Sequence, residues 1–274
     1  MLTEKMVDTG KLKINCAEGE KNGPPLFMLH GVTQHWQSLR FFYPSLSQKF
    51  HLYAPDLRGH GKSDRAAAYR MVDYVEDIVD FLTQQIDEPT VIVGYSLGGL
   101  ASLGLSSHVP EKIRALVLID PPLINRDSGF DAMSYSFAHS WILMTHTINT
   151  KQQDIDEIVP QLQQIFPEAG EAVWLANARM IRSVDIGVTT AVIENWAVEG
   201  FSLSSDLQAI TCPVLLLHGE QKLGSLVRDT DVAFFQTHVP HSQLVEVKGW
   251  GHDLVWPPAS DVCLDHMNEF LDTL

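Results

Sequence analysis

Very little in this chain could staple or anchor it. Its 274 residues include three cysteines, Cys16, Cys212 and Cys263. An odd number at scattered positions gives neither a disulfide framework nor the close spacing of a metal site, so reduced thiols are expected. Basic residues are scarce as well: 19 Lys and Arg stand against 34 Asp and Glu, a formal charge of −15. Nothing forms a basic stripe, which disfavours a nucleic-acid or anionic-membrane partner. No stretch of about 18 apolar residues occurs, and the opening Met-Leu-Thr-Glu-Lys-Met-Val-Asp has no apolar segment of the kind a secretory leader carries. The expectation is a cytoplasmic protein with no membrane partner. Repeats and low-complexity tracts are lacking too.

What the chain does have is core material. With 45% hydrophobic side chains it can bury a large interior, and one domain carrying an insertion accounts for its length better than two independent folds. Short apolar runs at 26–29, 52–54, 91–93, 115–119, 214–217 and 243–247 are mostly separated by helix-length stretches. Such continuous apolar runs are expected for strands buried on both faces of a parallel sheet. From 121 to 205 the pattern changes. Strand signal is weak there, while 132–147, 154–166, 168–183 and 185–198 carry apolar residues at helical spacing with Asp or Glu near several starts. A last helix is expected over 260–271.

The most informative stretch is Gly94-Tyr95-Ser96-Leu97-Gly98, which follows the apolar run 89–93 and leads into the small-residue segment 99–105. A serine on a strand-to-helix turn flanked by glycines is a nucleophile elbow. The glycines let the chain reverse sharply and leave Ser96 Oγ at the carboxyl edge of the sheet. The N–H of Leu97, at a helix start, is then placed to stabilise a developing oxyanion.

Together with four further segments, 29–32, 56–64, 213–219 and 249–252, this elbow resembles the α/β-hydrolase superfamily in order and over nearly the whole chain. The resemblance implies an α/β fold with a doubly wound, mostly parallel sheet. Its core would be 1–120 and 206–274, and 121–205 would be a helical cap inserted after the sixth strand. It gives His252, in the loop after a strand-like segment, the role of base, and it places the second oxyanion donor at the backbone of Val32. Trp36 borders the expected pocket, with Tyr95 beside the nucleophile. Met133, Phe137, Trp141, Met144, Trp174, Met180 and Trp196 of the cap are candidates to line it. Arg179 and Arg182, three residues apart on one helix face, are candidates to pair a substrate carboxylate, against the plainer reading of a solvated face. Segment 56–64 reads as a structural loop.

The acid departs from the commoner pattern. Many members of the superfamily carry aspartate three residues after the glycine that closes the seventh strand, but Gly219 is followed by Glu220, Gln221 and Lys222. Lysine can neither fix a histidine tautomer nor stabilise imidazolium. Asp120, ending the run 115–119, is the first replacement, with Glu220, Asp229 and Asp231 as the others. Members similar to (acetamidomethylene)succinate hydrolase and the cofactor-free quinolone dioxygenases carry their acid after strand six. The resemblance therefore implies a capped serine hydrolase acting on a small ester, lactone or amide, without metal or cofactor, as monomer or homodimer. Carbon–carbon bond hydrolysis, cofactor-free dioxygenation and a weakly hydrolytic ligand-binding role are the alternatives on the same fold.

Overall fold

The structure is a computed structural model and describes residues 2–123 and 136–274, with side chains in the second segment from residue 138. Met133, the Phe137 side chain and the first residues of the helix expected over 132–147 lie outside that description. Eight strands form one sheet: β1 (Thr3–Asp8), β2 (Lys13–Glu18), β3 (Pro25–Leu29), β4 (His51–Pro55), β5 (Thr90–Tyr95), β6 (Ile113–Ile119), β7 (Val214–His218) and β8 (Gln243–Glu246), in the order β1-β2-β4-β3-β5-β6-β7-β8. From β4 onward neighbouring strands are parallel. β1 and β2 form an antiparallel hairpin laid on β4. This hairpin was not among the apolar runs, because β1 is mostly exposed and its sequence TEKMVD is polar.

Alternation along the strands sorts the core into two layers. Phe27, Leu29, Ile92, Leu116, Leu118 and Leu216 face one side, where α2 (Met71–Gln85), α3 (Leu97–Gly104), α8 (Leu203–Gln208) and α9 (Asp229–His238) pack. Leu26, Met28, Val91, Val93, Val117, Ile119, Leu215 and Leu217 face the other, covered by the short α1 (Tyr43–Leu46) and by α10 (Ala259–Leu271). Helices on both faces explain why the central strands are apolar throughout rather than alternating with polar residues.

Between β6 and β7 lie α4 (Ser136–Thr150), α5 (Ile155–Ile165), α6 (Glu171–Arg182) and α7 (Ile186–Ile193). α4, α5 and α6 share a small interior of their own, built from Ile148, Ile158, Leu162, Ala178 and Ile181 with Trp141, Met144 and Trp174 at its edge. α7 instead buries Val188 and Ala191 against the main core. Asp154 and Asp185 head α5 and α7. Asp154 forms a capping box with Glu157, and Asp185 accepts from Gly187 N–H at 2.7 Å, satisfying N–H groups that a helix start leaves unpaired. α8 begins at Leu203 and packs on α3 and α9. Among the described residues no helix is long and apolar enough to cross a membrane.

Candidate active site

β5 ends in the turn that carries Ser96, and the backbone there is held in a shape few residues adopt. Ser96 has φ 52° and ψ −116°, a left-handed conformation that costs on the order of 1–3 kcal/mol and persists only when its surroundings enforce it. Two glycines make that possible. A Cβ on Gly94 would fall 2.5 Å from the Gly98 carbonyl oxygen and the Ser102 hydroxyl, and one on Gly98 would fall 2.4 Å from the Leu29 carbonyl oxygen. α3 therefore lies against β3 and β5 closer than any side chain allows. Ser96 N–H donates to Ile119 C=O at 3.0 Å, and Gly98 N–H donates to His30 C=O at 3.1 Å. These bonds fasten the turn to both neighbouring strand ends.

The next strand end supplies Asp120. It also sits at positive φ, 43°, and is wholly buried. Its two carboxylate oxygens meet four donors. Gly219 N–H (3.2 Å) and the Ser225 hydroxyl (2.5 Å) reach Oδ1. Leu226 N–H (2.8 Å) and His252 Nδ1 (2.7 Å) reach Oδ2. Because a carboxylate only accepts, His252 carries its proton on Nδ1 and presents the Nε2 lone pair. Nε2 lies 3.1 Å from Ser96 Oγ. Serine, imidazole and carboxylate thus form one continuous hydrogen-bonded chain across three strand ends.

Of the other acids considered from the sequence, Glu220 and Asp231 have side-chain partners elsewhere. Glu220 accepts from Gly249 N–H at 2.5 Å and pairs with Lys222 at 2.6 Å, bracing the turn that leads to His252. Asp231 pairs with Arg228 at 2.7 Å. Asp229 opens α9, where its N–H donates to Gln221 Oε1. Ser225 was not singled out in the sequence, and no local signal distinguishes it. Only the fold brings its hydroxyl onto Asp120.

Val32 and Leu97 flank the serine. Leu97 is the first residue of α3, where an N–H has no acceptor within the helix. Around Val32 the neighbouring amides are used: Gly31 N–H points to Gln34 Oε1 (3.4 Å) and Thr33 N–H donates to His60 Nε2 (3.2 Å). The N–H groups of Val32 and Leu97 have no acceptor among the described residues. A Cβ on Gly31 would lie 3.1 Å from the Tyr95 ring and 3.2 Å from Ser96 Cβ, so this loop rests directly on the elbow.

Two buried histidines hold the loop. His30 donates from Nδ1 to Gly31 C=O (2.8 Å) and accepts Leu57 N–H at Nε2 (2.9 Å). His60 donates from Nδ1 to Arg58 C=O (2.8 Å) and accepts Thr33 N–H. Both must be neutral to accept in this way. Burial pushes each down to about 3, while the carbonyl partner opposes the shift. Segment 56–64 is indeed used for structure. Asp56 accepts from Asn15, Trp36 N–H and Lys62 N–H, and Arg58 forms a two-point buried pair with Asp77.

Several candidate binding residues fall in places that sequence could not foretell. The Tyr95 side chain is buried beneath His252 rather than open to a cleft. Its ring stacks on the imidazole at 4.8 Å with a 23° interplanar angle, and its hydroxyl donates to the His252 carbonyl at 3.0 Å. Trp36 is half-buried and stacks on Tyr43. Trp141 donates its indole N–H to the Thr33 hydroxyl at 2.9 Å. Met144 and Trp174 pack at the edge of the α4–α6 interior, and Trp196 against the main core. Met180 is buried, with its sulfur 3.5 Å from the Ser38 hydroxyl. Arg179 is exposed. Arg182 donates to Asn149 Oδ1 at 3.3 Å, and Asp185 pairs with Arg65 rather than with either arginine.

A sequence profile of the alpha/beta hydrolase fold matches residues 24–179. The chain belongs to the α/β hydrolase family. Family members similar to it include the pimeloyl-(acyl-carrier protein) methyl ester esterase of Nitrosomonas europaea, 27% identical over 89% of this chain and 95% of its own length. The 2-(acetamidomethylene)succinate hydrolase of Mesorhizobium japonicum is 27% identical over 98% and 95%. Among solved α/β hydrolase structures, an E-2-(acetamidomethylene)succinate hydrolase superposes with a TM-score of 0.77 at 23% identity, covering 99% of this chain and 100% of its own. An esterase from Exiguobacterium antarcticum superposes at 0.78 with 19% identity, over 98% and 100%. The relatives are hydrolases and esterases, and the chain is an enzyme of the α/β hydrolase type.

Proposed function

We propose that this enzyme hydrolyses a small carboxylic ester, lactone or amide through an acyl-enzyme on Ser96. The observation that carries the reading is the relay from Ser96 Oγ to His252 Nε2 at 3.1 Å and from His252 Nδ1 to Asp120 at 2.7 Å, on a serine held at φ 52°. Ser96 Oγ attacks the acyl carbon as its proton passes to His252 Nε2. The carbonyl oxygen becomes an oxyanion held by the N–H groups of Val32 and Leu97. His252 then returns the proton to the departing alkoxide or amine. Water repeats the sequence to release the acid and free Ser96. Asp120 stays ionised throughout, fixing the tautomer and balancing the imidazolium.

Within this reading, residues 121–205 act as a cap that encloses the acyl group above the elbow. Ester and amide chemistry both suit the relay, and the two relatives in sequence, a methyl ester esterase and an (acetamidomethylene)succinate hydrolase, support a substrate of the ester or amide class. The test is Ser96→Ala assayed on short-chain nitrophenyl esters and N-acyl amides. Turnover should fall by about 10⁴ or more while the melting temperature stays near that of the wild type. A fluorophosphonate should label the wild type and not the variant. An alanine variant that keeps a tenth of the activity overturns the reading.

A further inference from the structure

The loop bearing Val32 is gripped by the helical insertion as well as by the core. Thr33 stands at φ 62°, a conformation in which a β-branched residue is strained. Three hydrogen bonds keep it there. Its N–H donates to His60 Nε2 at 3.2 Å, its hydroxyl donates to the Val32 carbonyl at 2.6 Å, and the same hydroxyl accepts from Trp141 Nε1–H at 2.9 Å. Trp141 belongs to α4, in the helical insertion. Its ring is fixed in turn against Phe166 at 6.1 Å between centroids, so the indole N–H is delivered from a packed surface.

A hydroxyl that donates and accepts at once is stronger in both bonds than in either alone. The Trp141 contact therefore also tightens the bond from Thr33 to the Val32 carbonyl. With that carbonyl held, the Val32–Thr33 peptide plane is fixed; the adjoining Gly31–Val32 plane is held where His30 Nδ1 donates to the Gly31 carbonyl at 2.8 Å, so Val32 is clamped on both sides and its free N–H keeps one direction beside Ser96. We propose that Trp141 is a positioning residue which, through Thr33, orients the oxyanion donor of Val32, so that the insertion acts on the chemical step and not only on which substrate enters. The proposal rests on the serine-hydrolase reading. It makes Trp141 a residue that need not touch substrate.

The experiment compares wild type, Trp141→Phe, Thr33→Ser, Thr33→Val and the double variant Trp141→Phe/Thr33→Val, using p-nitrophenyl butyrate as substrate and phenylboronic acid as inhibitor. Boron bonds to Ser96 Oγ and becomes tetrahedral and anionic, which places an oxygen where the oxyanion would form. Trp141→Phe keeps the ring and removes only the donor. It should lower kcat about tenfold, the worth of one oriented hydrogen bond, with KM little changed. Boronate affinity should fall by the same factor. Thr33→Ser should behave as wild type, Thr33→Val should lose at least as much as Trp141→Phe, and the double variant should lose no more than Thr33→Val alone.

A raised KM with kcat intact, unchanged boronate affinity in Trp141→Phe, or additive losses in the double variant would overturn the proposal. If Thr33→Val does not fold, Trp141→Phe against Thr33→Ser still decides between the outcomes. Failure of the underlying reading has a different signature: Ser96→Ala would retain turnover and the wild type would bind neither boronate nor fluorophosphonate.

Discussion

Asp120 is the residue on which most other groups converge. Four donors on two carboxylate oxygens, with no exposure to water, make it a fixed anion rather than a mobile one. Asp120→Asn should preserve the shape and spoil the proton arrangement, since the amide nitrogen would face a donor at His252, Gly219 or Leu226. The expected loss in kcat is on the order of 10³–10⁴, measured against Glu220→Gln and Asp229→Asn, which should stay within a few-fold of wild type. Comparable losses in all three variants would remove Asp120 from its special place. Asp120 was singled out as the candidate acid by an absence, the lysine at position 222, and by its place closing an apolar run. The assistance of Ser225 was not legible, because 105 residues separate two groups that only the fold makes neighbours.

At the scale of elements, the elbow is a packing problem before it is a chemical one. α3 can lie on β3 and β5 only because Gly94 and Gly98 present no side chain. Gly98→Ala would drive a methyl into the Leu29 carbonyl, a backbone atom that cannot step aside. A loss of about 3 kcal/mol or more is expected from such overpacking, read as a lower urea midpoint. Activity should fall further than the loss of folded protein explains, because Ser96 is displaced. The central strands, α3 and the helices of the insertion were legible because their apolar residues recur at strand or helix spacing. β1 and β2 were not: their residues Thr3, Glu4, Lys5, Lys13 and Asn15 carry too little apolar signal, and it is the exposed edge of β4 that recruits them. Side-chain direction was the other blind spot. The sequence marked Tyr95 and Trp141 as notable, but their partners, the His252 carbonyl and the Thr33 hydroxyl, are set by tertiary contacts.

Over the whole molecule, His30 and His60 tie stability to pH. Burial depresses both to about 3, whereas in the unfolded chain each titrates near 6.5. Below that value the unfolded state binds protons that the folded state refuses, so folded stability is fully present above about pH 6.5 and drains away as pH falls toward 3. Each histidine contributes a slope of up to about 1.4 kcal/mol per pH unit in that window. Chemical denaturation at pH 7, 6, 5 and 4 should show a steady decline, and His60→Gln should flatten it even if it lowers the stability at pH 7. A flat profile in the wild type would mean that the two imidazoles can be protonated in place.

The order of the proposed catalytic groups along the chain has a practical meaning. Ser96 and Asp120 precede the helical insertion and His252 follows it, while β6 and β7 meet side by side in the sheet through the pairs Leu116–Val214 to Ile119–Leu217. The enzyme is thus divisible into two silent halves. Cutting at the loop around Gly200, where the chain is exposed at φ 77°, would leave a nucleophile without its base on one polypeptide and a base without its nucleophile on the other. Neither half should hydrolyse anything, and catalysis should return only when β7 docks against β6. Turnover would then count assembled molecules directly, making the seam between these two strands a built-in reporter of reassembly.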